Sequence, residues 1–111
     1  MSAPFAKRRR QLLQQLKRTQ LDCLLVTHPA NWYYLTGFSG ESGMLLVTAD
    51  GTTLLTDGRF TTQAKEEAPG VRVELQKGSL YDLAGEWLRQ RKLRSIGYDP
   101  TQWTVAQSKA L

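Results

Sequence analysis

Cysteine occurs once in these 111 residues, at Cys23, and histidine once, at His28. A lone cysteine cannot close an internal disulfide, which favours a reducing compartment, the cytoplasm by default. One histidine and one cysteine also make a poor metal site. There is no HExxH, no histidine–carboxylate spacing and no cysteine pair, so a dedicated metal site within this chain is disfavoured. No apolar run approaches the roughly 20 residues that a membrane span needs, and nothing near Met1–Arg10 resembles a secretory core. Internal repeats and low-complexity linkers are missing too. A hydrophobic share of 41% beside a charged share of 23% still describes an ordinary globular chain, long enough for a single core and one domain.

Acidic residues are scarce relative to basic ones, giving a net charge of +5. Lys7, Arg8, Arg9, Arg10, Lys17 and Arg18 fall on the first helix, and Arg89, Arg91, Lys92 and Arg94 near the end of another. Such clusters can mark a nucleic-acid footprint. The preferred reading is a solvated helix face with cations near helix C-termini. Aromatic residues do not interleave with the basic ones, as a stacking platform for bases would require, so nucleic acid is disfavoured as a partner.

What is present is concentrated between Asn31 and Gly58. An aromatic cluster meets a glycine-rich turn, and two apolar runs, Met44–Ala49 and Thr52–Thr56, are joined by Asp50-Gly51. That dipeptide predicts a hairpin, with glycine supplying the positive φ of a tight turn. Both runs are continuously apolar, so the hairpin should lie inside a sheet covered on both faces. Asn31–Ser39 lacks strand periodicity and reads as a short helical turn closed by Gly37.

Around this centre the spacing predicts a helix over Pro4–Lys17, with Phe5, Leu12, Leu13 and Leu16 on one stripe, and a strand over Leu21–Thr27 that Pro29 terminates. A helix follows over Arg59–Ala68, then a half-exposed strand at a sheet edge, Val71–Leu75. Ser79 caps a helix to Arg91 that carries Leu80, Leu83, Ala84, Trp87 and Leu88 on one face. Ser95–Tyr98 is a short strand, and Asp99 or Thr101 caps a last helix, Gln102–Ala110. The fold class is therefore α/β: a mixed β-sheet with a central antiparallel hairpin, flanked by helices. The sequence stops at Leu111 in mid-pattern, which suggests a fragment that nonetheless folds alone.

Individual residues offer chemistry only with bland alternatives beside it. Cys23, inside an apolar strand, reads as a small buried side chain rather than a nucleophile. His28 could line a cleft, but a hydrogen-bonded loop histidine is preferred. The glycines of Gly37–Gly43 are followed by neither Lys-Ser/Thr nor a helix, so they cannot form a phosphate loop. Asp57 and Arg59 can pair across Gly58, either as a structural clamp or as a substrate contact.

Asn31, Tyr34-Leu35, Thr36-Gly37-Phe38, Ser39-Gly40 and Thr56-Asp57-Gly58-Arg59-Phe60, in this order and spacing, resemble the N-terminal domain of the Xaa-Pro peptidases: aminopeptidase P, prolidase and creatinase. The basic opening helix, the LDCLLVT strand and Gln63-Ala64 fit the same pattern, so the resemblance covers nearly the whole chain. It implies that residues 1–111 form a single non-catalytic N-terminal domain, with no catalytic residue of its own. Asn31, Gly37, Asp57 and Gly58 would serve as structural motif residues. A C-terminal "pita-bread" catalytic domain, absent from this sequence, would hold two divalent metal ions, manganese above all. The whole enzyme would act on short proline-containing peptides, and its N-terminal domain would build a homodimer or tetramer and border the active site. Trp32, Tyr34, Phe38 and Arg59 are the border candidates, since large apolar faces and one guanidinium suit a peptide; the alternative is that Tyr34 and Phe38 are core residues and Arg59 a clamp. Phe60 stands where the family often has tyrosine, which removes a hydroxyl there. A different reading is a stand-alone protein-binding module built on the same fold. An exposed Trp32 or Trp103 would mark a face that a missing domain covers.

Overall fold

A computed structural model describes residues 4–75 and 78–98. The expected last helix, Gln102–Ala110, its caps Asp99 and Thr101, and Trp103 lie outside the described residues. In chain order the elements are α1 (Phe5–Thr19), β1 (Cys23–Val26), α2 (Pro29–Thr36), β2 (Met44–Thr48), β3 (Gly51–Thr56), α3 (Thr61–Glu67), β4 (Arg72–Leu75), α4 (Leu80–Gln90) and β5 (Ile96–Tyr98).

The strands form one mixed sheet in the order β4-β3-β2-β1-β5. The hairpin β2–β3 is antiparallel and central, β1 joins β2 antiparallel, and β4 and β5 add in parallel at the two edges. Val71–Leu75 was expected at an edge, and β4 is there, with its two end residues exposed. The hairpin register differs from the expected one by a residue. Thr48 pairs with Gly51, so the turn residues are Ala49 and Asp50, and Gly51 carries its positive φ of 138° as the first paired residue of β3. Thr48 Oγ1 stabilises this arrangement by accepting from the Asp50 N–H at 3.2 Å.

Alternation along the strands builds two cores. Leu45, Val47 and Leu54 pack against Leu12 and Leu16 of α1, Trp32 and Leu35 of α2, and Ala64 of α3. Met44, Leu46 and Leu55 face the other way, onto Ala84 and Trp87 of α4. Every residue of β2 is buried, which is why its sequence is continuously apolar. Helix α4 begins as expected at Ser79, whose hydroxyl accepts from the Asp82 N–H at 3.4 Å.

The edge strand β5 is held to the start of β1 by polar bonds. Asp22 Oδ2 accepts from the backbone N–H groups of Arg94 (2.9 Å) and Ser95 (3.1 Å), and Ser95 Oγ donates to the Gln20 carbonyl at 2.9 Å. Helix α4 lies between β4 and β5 in sequence, so the chain crosses the width of the sheet on that face.

Candidate functional site

Two loops meet at one end of the sheet: residues 37–43, between α2 and β2, and residues 57–60, between β3 and α3. Each is shaped by its own sequence. Helix α2 starts with Pro29 in its first turn, where a missing N–H costs nothing, and stops at Gly37 in the left-handed region, φ 84°. Thr36 Oγ1 donates to the Trp32 carbonyl at 2.7 Å and accepts from the Phe38 N–H at 3.0 Å, which turns the chain inward.

Gly37 also sits where three elements converge. A Cβ there would meet Phe5 Cε2 at 2.8 Å and the Glu67 carbonyl at 3.1 Å. Phe38 then plugs the core, 6.3 Å from Trp32 and edge-on to Phe60 at 6.1 Å. Trp32 Nε1 closes the loop by donating to the Gly40 carbonyl at 3.1 Å.

The outer wall of this loop is polar. Glu67 accepts from the Ser39 N–H (2.8 Å) and from Ser39 Oγ, and Gln63 Nε2 donates to Ser39 Oγ at 2.9 Å. These bonds, the Ser39 N–H above all, hold the Glu67 carboxyl below its ordinary value against a smaller opposing effect of burial.

In the second loop Thr56 Oγ1 donates to the Ser42 carbonyl at 2.6 Å. Asp57 accepts from the Arg59 backbone N–H (2.9 Å), from its Nε (3.2 Å) and from its Nη2 (2.8 Å). The arginine side chain holds the Asp57 carboxyl below the ordinary carboxylate range, and the aspartate raises the arginine in return. Arg59 is exposed and Asp57 only half-buried, so the pair orders the loop more than it stabilises the protein.

The sequence-derived candidates separate here. Trp32 and Phe38 are core side chains, 2% and 0% exposed, so neither presents a border, and Trp32 does not mark an uncovered face. Their rings are taken up by the inner sides of α2 and its loop. Tyr34 is half-buried beneath the Arg8 guanidinium, 4.1 Å from its ring centre. Arg59 is exposed, its side chain at 75%. Among the structural residues, Asn31 is buried, Gly37 is required by its φ and its neighbours, and Asp57 grips Arg59. Gly58 is different: a Cβ would meet only Leu75 Cδ1 at 3.7 Å, and its φ is not positive, so the backbone does not demand glycine there.

Sequence reasoning missed two features. Tyr33, at 52% exposure, is the solvent-facing ring of the aromatic cluster, packed edge-on against Phe5. Apolar spacing gives no signal for it, since Tyr33 lies one helical turn from the buried Thr36. The second feature is the task of the basic cluster. Arg8 Nη1 donates to the Tyr34 carbonyl and Arg9 Nη1 to the Leu35 carbonyl, each at 2.9 Å. Two arginines of α1 thus satisfy the open C-terminal carbonyls of α2.

Cys23 is fully buried, and burial pushes its thiol up to about 12, which suits packing and not nucleophilic work. Among the described residues no three or more of His, Cys, Asp and Glu are grouped to hold a metal ion, so these residues do not fit the dinuclear centre of the peptidase resemblance. No helix among them is long and apolar enough to cross a membrane.

Residues 8–111 match the family described as the creatinase/prolidase N-terminal domain. An Xaa-Pro aminopeptidase from Streptococcus pyogenes shares the fold at a TM-score of 0.83 and 33% identity, over 96% of this chain and 81% of that one. The N-terminal domain of the cytoplasmic peptidase PepQ from Mycobacterium tuberculosis does so at 0.77 and 36%, over 90% and 78%. A Pyricularia oryzae protein named Probable Xaa-Pro aminopeptidase P is 35% identical across 70% of this chain, and an uncharacterized peptidase of Bacillus subtilis, YqhT, is 29% identical across 76%. The matched stretch is 13% of the fungal protein and 24% of the bacterial one.

Proposed function

Because this chain belongs to the creatinase/prolidase N-terminal domain family, we propose that it is the non-catalytic N-terminal domain of a cytoplasmic, metal-dependent Xaa-Pro peptidase. In this reading it serves assembly into a dimer or tetramer and borders an active site housed elsewhere in the protein. Two divalent metal ions, manganese foremost, belong to a separate C-terminal catalytic domain, and the substrates are short proline-containing peptides. Arg59 and Tyr34 are the border residues, since both keep exposed surface at or beside the two loops.

The observation that carries the reading is the likeness, over nine-tenths of the chain, to the PepQ N-terminal domain at 36% identity.

The test has two parts. An antibody blot of the source cells should give a band several times the 12.5 kDa of this chain. The full-length protein should hydrolyse an Xaa-Pro dipeptide with manganese, and the 111-residue chain alone should not. A native band at this chain's own size would overturn the peptidase reading and favour the binding-module one.

A further inference from the structure

Arg59 is an exposed cation that is not free to wander. Asp57 grips it side-on, through Nε to Oδ1 and Nη2 to Oδ2, and the Phe60 ring lies 5.1 Å from its guanidinium carbon. The aspartate is itself tied to the loop, its Oδ1 accepting from the Arg59 backbone N–H.

A guanidinium offers a carboxylate two forked edges, side-on through Nε and Nη2 and end-on through Nη1 and Nη2. Asp57 fills the first. Among the described residues nothing accepts from Nη1, and Glu41, whose charge also acts on Arg59, makes no hydrogen bond to it. The open edge therefore belongs to a side chain three-quarters exposed, yet held in one orientation.

We propose that Arg59 takes the C-terminal carboxylate of a short peptide end-on, through Nη1 and Nη2, and that Asp57 is the positioning residue that keeps this edge turned outward. The proposal rests on the border reading above. An unrestrained arginine gives up its rotamers on binding, whereas Arg59 has already given them up, so removal of Asp57 weakens binding without touching the chemistry. A receptor for a terminal carboxylate also favours a dipeptide over a longer chain, whose carboxylate lies further from the scissile bond.

The test uses the full-length protein with Ala-Pro as free acid and as C-terminal amide. Asp57→Asn should raise KM for the acid about tenfold, with kcat within about twofold and the amide unmoved. Arg59→Lys, which keeps the charge but not the fork, should behave like Arg59→Ala. Melting curves matching the parent within about 2 °C establish that each variant is folded. Equal loss on acid and amide in Asp57→Asn would show a merely structural role and overturn the proposal. A selective loss in Arg59→Ala with none in Asp57→Asn would sink the positioning role alone, and no effect of Arg59→Ala on either substrate would sink the border reading itself.

Discussion

Gly37→Ala tests the convergence of three helices at one backbone atom. Two costs add at this site. Placing a Cβ in the left-handed region costs about 1–2 kcal/mol. Forcing that Cβ against Phe5 Cε2 at 2.8 Å and the Glu67 carbonyl at 3.1 Å adds about 1–3 kcal/mol of overpacking. Stiffening of the unfolded chain returns about 0.4–1 kcal/mol, leaving a net loss of about 3 kcal/mol. Gly78→Ala is the control, since Gly78 has nearly the same φ, 83° against 84°, but nothing within 4 Å of its Cβ position. It should lose only the backbone part, about 1 kcal/mol. Thermal unfolding followed by circular dichroism should therefore show a fall of about 12 °C for Gly37→Ala and about 4 °C for Gly78→Ala. Trimming the clashing ring in a Phe5→Leu/Gly37→Ala double variant should recover part of the difference. Equal melting points for the two single variants would refute the packing argument.

Arg8→Met and Arg9→Met each remove a charge-assisted bond to an α2 carbonyl and should each cost about 1.5 kcal/mol in urea unfolding, because the carbonyls stay while their donor goes. Asp22, Asp57 and Glu67 all titrate below their ordinary values in the folded chain. Each thus contributes stability that is present above the ordinary carboxylate value, 4.5 for Glu67, and lost as pH falls through the lower folded value. Glu67→Gln should be less stable than the parent at neutral pH, with the gap closing below that range in pH-dependent melts. Cys23 should resist thiol reagents in the native chain and react fully once denaturant is added, given its complete burial. Trp32→Phe breaks the bond to Gly40 and should cost more than Trp87→Phe, since Trp87 Nε1 is buried with no hydrogen-bond partner among the described residues; denaturant midpoints compare the two.

Much of the fold was legible because burial and periodicity agree in it. The continuous apolar run of β2 reported a strand covered on both faces, the alternation in β4 reported an edge, and Ser79 reported a helix start. The hairpin was legible in existence but not in register, since the glycine's positive φ is used just after the turn instead of within it. Helix α2 resisted reading for a different reason. Its buried side carries the polar Asn31 and Thr36 while an aromatic ring, Tyr33, faces solvent, so apolar periodicity could not sort Trp32 and Phe38 from surface residues. The work of Arg8 and Arg9 was invisible because their partners lie 26 residues away, a distance at which charge patterning says nothing.

The polar bonds joining Asp22 to Ser95 close a span of 73 residues. A contact that distant cannot form until the chain between its ends is already arranged, so β5 should dock last in folding. It should also be the first element to leave. Among the described residues it pairs with one neighbouring strand, is tied by exposed polar bonds at the sheet's rim, and sends Ile96 only partly into the second core. Ile96–Tyr98 can therefore detach while the central hairpin stays closed, and hydrogen exchange would see their amides opening in a local event of far lower free energy than global unfolding.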